Sequence, residues 1–68
     1  MTIKLFDTVV LENDLSDKGL KRGDIGAVVE VYAPDGIEVE FVTGSGKTQA
    51  LVTLTSHDVR PVADTEIL

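Results

Sequence analysis

Short runs of Val, Ile, Leu and Phe alternate with polar residues along most of this chain and are interrupted by Gly, Pro and Asp. A period of two, rich in β-branched residues, is the pattern of a strand whose successive side chains reach opposite faces of a sheet. No window sustains the 3.6-residue period of an amphipathic helix. The pattern predicts strands at Leu5–Leu11, Ile25–Ala33, Ile37–Val42 and Thr48–Thr55, with a short last strand at Arg60–Val62. Five strands in so short a chain imply an all-β fold, a small barrel or sandwich, because closure hides edges that otherwise template aggregation.

The connections refine this picture. Ala33-Pro34-Asp35-Gly36 has Pro at the second turn position and Gly where a left-handed residue is wanted, which predicts a type I turn completed by a glycine bulge. That turn would pair Ala33 with Ile37, Val31 with Val39 and Val29 with Phe41, gathering the large apolar residues on one face. A turn centred on Ser45-Gly46 would set Phe41 against Ala50, Val39 against Val52 and Ile37 against Leu54, extending the same face. The aperiodic segment Glu12–Arg22 is too long for a tight turn, and its Leu15 and Leu20 are expected to pin it over one end of the core. Gly23 and Gly26 bracket the next strand, where a bend or close approach needs no Cβ. Ser56-His57-Asp58-Val59 suits one helical turn capped by Ser56 or Thr55, with Asp58 at its positive end. Pro61 then holds Arg60 extended for the closing strand. A single domain over residues 1–62, with a frayed tail over 63–68, is the expected organisation.

Composition narrows the classes. With 68 residues the chain supports one domain, which buries only roughly 60% of the surface exposed when unfolded, so its stability should be modest. It has no cysteine, hence no disulfide framework and no thiolate metal site. Twelve acidic residues against six basic ones give a net charge of −6, which favours solubility or a basic partner over nucleic acid or an anionic membrane. No apolar run approaches the roughly 18 residues of a membrane span, and the start has no signal-peptide core; a cytoplasmic location is expected.

A long first loop, three consecutive strands, a one-turn helix and a short closing strand: this order resembles an SH3-like barrel. The stretches "DTVVLENDL", "GLKRGDIGAVVEVYAPDGIEVEF" and "LVTLTSHDVRPV" resemble a family of small bacterial proteins catalogued as domain of unknown function 4926. The resemblance covers about residues 5–62 and includes Asp7, Gly23-Asp24, Gly26, the Pro-Asp-Gly turn, Glu40-Phe41 and the Leu54–Pro61 segment. It implies the barrel and brings no activity with it. "GDIGAVVEV" is also similar, over about ten residues, to the KOW motif of ribosomal proteins and transcription factors.

Candidate chemistry is sparse. Gly44-Ser45-Gly46-Lys47-Thr48 looks like the end of a phosphate-binding P-loop, but that motif needs a glycine where Phe41 stands and a helix where a strand pattern follows. His57 is the only histidine and has no cysteine or nucleophile patterned beside it. Lys18, Lys21 and Arg22 form the one basic cluster, with Asp14, Asp17 and Asp24 interleaved and no stacking aromatics for single strands. The remaining feature is a polar strand face. The expected register sets Glu30 opposite Glu40 and Tyr32 opposite Glu38, with Leu51 and Val28 turned to the same side. Glu30, Tyr32, Glu38, Glu40 and Leu51 are thus the candidate partner-binding residues; a solvated face is the plain alternative. No catalytic residue, metal site or cofactor is expected. The chain reads as a non-catalytic binding or accessory module for another protein, either as a small subunit or as an acidic partner to a basic protein, and a homo-oligomer is compatible with this. The alternatives are a KOW-like nucleic-acid-binding barrel and, further off, a subunit completing another chain's active site.

Overall fold

The computed structural model describes residues 3–42 and 48–62. Five antiparallel strands form one sheet: β1 (Thr8–Leu11), β2 (Ile25–Tyr32), β3 (Gly36–Val42), β4 (Thr48–Thr55) and β5 (Val59–Pro61). Their order is β4-β3-β2-β1-β5. Single 3-10 turns at Ser16–Lys18 and Ser56–Asp58 are the only helical elements among the described residues. The all-β architecture, with its one-turn helix before the last strand, is therefore the one expected. No helix among the described residues is long and apolar enough to cross a membrane.

A lone sheet without a second layer can bury a core only by curling around its own face. That face is built from Val9, Leu11, Val28, Ile37, Val39, Phe41, Val52, Leu54 and Val59, drawn from all five strands, and Leu20 enters from the first loop. Leu15 bridges to Leu20 and packs at the margin, so this loop is pinned over the core as its two leucines suggest. The curled sheet still has two ends, β4 and β5.

The β3–β4 register agrees with the hydrophobic pattern: Ile37 faces Leu54, Val39 faces Val52 and Phe41 faces Ala50. The turn thought to centre on Ser45-Gly46 lies outside the described residues. The β2–β3 register does not agree. Tyr32 faces Gly36, Val31 faces Ile37 and Glu30 faces Glu38; after an irregularity between Val28 and Glu30, Val28 faces Val39. Gly36 is not left-handed and already pairs with Tyr32, so the type I turn with a glycine bulge is not what forms. The loop is Ala33-Pro34-Asp35, and Gly36 already belongs to β3, lying against Tyr32. Val28, expected outside, is wholly buried, because the bulge at Val29 absorbs one residue and restores the alternation on either side.

The first strand starts three residues later than the pattern suggests. Asp7 Oδ2 accepts the Lys4 N–H at 2.8 Å and the Lys4 carbonyl accepts the Asp7 N–H at 3.0 Å, closing a turn through Leu5 and Phe6. Phe6 adopts a positive φ of 72° there. Gly23 is also left-handed, with φ 97°. Gly26 has a different reason: a Cβ there would lie 2.7 Å from Val39 Cγ1 and 2.9 Å from both Glu40 O and Phe41 Cδ1. The backbone of β2 approaches β3 that closely only because no side chain intervenes. At the far end, the Thr55 side chain caps the second 3-10 turn and Asp58 reaches back to the Thr55 N–H at 3.0 Å, a complete capping box.

Candidate functional site

The outward face of β2, β3 and β4 carries all five candidate residues, because a register error of an even number of residues leaves each side chain on its face. Their neighbours change, however. Glu30 stands directly opposite Glu38 rather than Glu40, and Tyr32 is diagonal to Glu38 rather than opposite it. The diagonal is bridged: Tyr32 Oη donates to Glu38 Oε1 at 2.6 Å. This bond to the carboxylate raises the phenol's pKa above its usual 10.0, with partial desolvation and the charges of Glu38 and Glu30 adding in the same direction. Glu40 lies between Ala27 on β2 and Leu51 on β4. Leu51 is 57% exposed.

Two exposed apolar residues missed by the sequence reading belong to the same face. Ile25 shares it with Ala27, two residues along β2, and Val42 shares it with Glu40, two along β3. Both sit at strand ends inside apolar runs, where composition alone gives no hint of orientation. The face thus has apolar ground at Ile25, Val42 and Leu51 and a row of carboxylates at Glu30, Glu38 and Glu40. No lysine or arginine stands on this part of the face among the described residues. The arrangement sets carboxylates beside exposed apolar side chains on an open sheet face.

The other candidates separate into local structure. Asp14 Oδ1 accepts the Arg22 N–H at 2.9 Å and Asp24 Oδ2 accepts the Lys21 N–H at 2.9 Å, so the acids within the basic loop hold its bends. Arg60 lies near Glu12, with nitrogen and oxygen 3.7 Å apart. His57 is largely exposed and stands 3.8 Å from Asp35. A shallow notch of about 190 Å³ lies beside it, lined by Ile3, Val31, Pro34, Asp35, Gly36, Ile37 and Ser56, without converging titratable groups. Of the P-loop-like stretch, residues 44–47 lie outside the described residues, and Thr48 opens strand β4 where a phosphate-binding helix would be required. Among the described residues no cluster of three His, Cys, Asp or Glu is placed to hold a metal ion.

Fold and face together define a small all-β module with one acidic, partly apolar sheet surface. The chain belongs to the family described as Domain of unknown function (DUF4926), whose model matches residues 5–61. No curated protein and no solved structure matches it.

Proposed function

We propose that this chain is a non-catalytic binding module, working in the cytoplasm, whose outer sheet face docks a cationic surface of another protein. The observation that supports it best is the row Glu30, Glu38 and Glu40 beside exposed Leu51, with no cation on the β2–β4 part of that face among the described residues; Arg60 shares the face only on β5, beside Glu12. Glu30 and Glu38 face each other across two strands, where like charges destabilise by a few tenths of a kcal/mol. A partner cation placed between them relieves that repulsion and adds steering at long range. The solvated-face reading explains the exposure but gives no reason for three carboxylates to stand together on neighbouring strands.

The competing nucleic-acid reading draws on Lys18, Lys21 and Arg22. Asp14 and Asp24 hold the backbone of that loop, and their charges offset its field. Two assays test the proposal together. Charge reversal at Glu38 and Glu40 should abolish retention of a basic protein in a pull-down, with the circular dichroism spectrum unchanged. A gel shift at low ionic strength should show no salt-sensitive complex with DNA or RNA. Retention that is indifferent to the reversal, or a nucleic-acid complex that weakens as salt rises, overturns the assignment.

A further inference from the structure

We infer that the outer edge of β4, which no other described strand pairs, is where the partner joins, adding an extended cationic segment as a sixth strand. This rests on the acidic-face reading and specifies how that face is reached. In an antiparallel pair, opposed residues alternate between those that exchange both backbone bonds and those whose N–H and C=O point away. The Ser56 N–H bonds the Asp35 carbonyl at 2.9 Å, one step beyond the Gly36–Thr55 pair, so that pair is of the second kind. Counting along the strand, Ala50, Val52 and Leu54 bond to β3, whereas Leu51, Thr53 and Thr55 direct their backbone groups to the open side. Thr55 agrees with this count, because its N–H is taken outside the sheet by Asp58 Oδ2 at 3.0 Å. The second 3-10 turn thereby closes that end of the edge. Leu51 and Thr53 keep N–H and C=O groups that no other described residue bonds.

Natural sheets blunt their edges with charge, proline or brevity. The opposite edge does so: β5 has three residues and ends in Pro61. β4 has eight residues, TQALVTLT, with no charge, no proline and no glycine. It is a ready template for strand addition, the mode in which main-chain bonds give affinity and alternate side chains give selectivity.

Charge complementarity chooses the occupant. Glu38 is the cross-strand neighbour of Thr53, and Glu40 that of Leu51. A strand added beyond β4 sets its outward residues opposite Leu51 and Thr53, two strand spacings or roughly 10 Å from those carboxylates. Lys or Arg on the added strand and Glu on β3 span that distance from both sides across the small Thr53 side chain. The inward residues of the added strand continue the row Ala50, Val52 and Leu54 and should be apolar. A second copy would instead bring another net charge of −6 to the same edge. The segment that fits therefore alternates basic and apolar residues.

The test uses the full chain and a blocked seven-residue peptide alternating Lys and Val, followed by amide NMR. The expected result is saturable change at Leu51 and Thr53, with their hydrogen exchange slowed about tenfold or more and binding weakened by salt. The same peptide with Glu in place of Lys should not bind. Thr53→Pro keeps the ladder to β3, since the Thr53 N–H is not part of it, and should weaken binding at least about tenfold. Should that variant fail to fold, the peptide N-methylated at alternate residues removes the same bonds and should not bind the natural chain. If blocking the edge leaves binding intact while Glu38→Gln with Glu40→Gln weakens it, strand addition is overturned and the acidic-face reading stands. If neither change matters, or no saturable binding occurs, both fall. Slowed exchange at Leu51 and Thr53 that grows with protein concentration without peptide assigns the edge to a second copy and overturns the inference.

Discussion

Replacing Phe41 by Ala is the sharpest perturbation of the fold. Phe41 is 1% exposed, the largest of the fully buried side chains among the described residues, and lies one residue from the end of β3 with Gly26 on one side and Ala50 on the other. Both flanking residues are too small to fill the space its ring leaves, and the approach of β2 at Gly26 is set by contact with that ring. The substitution should therefore cost the upper part of the usual Phe→Ala range, about 3–5 kcal/mol. A chain of 68 residues has a total stability of roughly 3–10 kcal/mol. The loss is thus comparable with the whole. In a domain of this size each kcal/mol shifts the melting temperature by about 4–8 °C, so the variant should melt at least about 12 °C lower or be unfolded at room temperature. Urea unfolding followed by far-UV circular dichroism reads this directly. Phe41→Leu, which keeps much of the apolar volume, should fold and lose distinctly less. A Phe41→Ala midpoint within 1 kcal/mol of the natural chain would refute the core assignment.

Other perturbations report on separate parts of the structure. Gly26→Ala forces a Cβ to within 3 Å of Val39, Glu40 and Phe41, and should destabilise by about 1–3 kcal/mol in the same urea assay. Asp58→Ala removes the acceptor for both the Thr55 N–H and its hydroxyl, and should lower stability by about 0.5–2 kcal/mol. Tyr32 is the only tyrosine, so near-UV absorbance follows its ionisation alone; the midpoint should lie above 10.0 and move back toward it in Glu38→Gln. Because the folded state favours the neutral phenol, this contribution to stability is fully present below pH 10 and is lost as pH rises through the raised value.

The parts of the fold legible in the sequence are those where two independent patterns coincide. In β3 and β4 the apolar residues Ile37, Val39 and Phe41 and their partners Leu54, Val52 and Ala50 alternate strictly, and only one register aligns them. The one-turn helix was legible too, with Thr55 one of its two candidate caps; the bond by which Asp58 reaches back to Thr55 came only with the structure. β2 was not legible in the same way. Its run Ala27-Val28-Val29-Glu30-Val31 has no strict alternation, so nothing local says whether Val28 or Val29 faces inward. The bulge that settles this is a tertiary event: Val28 fits against Val39, and Val29 is the residue left over. Pro34-Asp35-Gly36 misled in turn, since Gly36 is a strand residue facing Tyr32 instead of a left-handed turn position.

For the candidate face the distinction is similar. Which side Glu30, Tyr32, Glu38, Glu40 and Leu51 occupy follows from strand parity and survives a two-residue error. Who neighbours whom does not survive it, and the Tyr32–Glu38 bond is a consequence of the true register. The edge of β4, unpaired among the described residues, was hidden from the sequence, which suggested that closure would cover it.

The central claim, that this acidic face takes a cationic protein surface, is tested most directly by affinity as a function of salt. The protein retained by the natural chain would be titrated against the chain and against its Glu38→Lys, Glu40→Lys form by calorimetry. Exposed charge pairs are worth up to about 1 kcal/mol each, so reversing two should weaken Kd on the order of tenfold or more at low salt. The difference should narrow as salt rises and screening removes it. Equal affinities for the two chains at low salt would contradict the account.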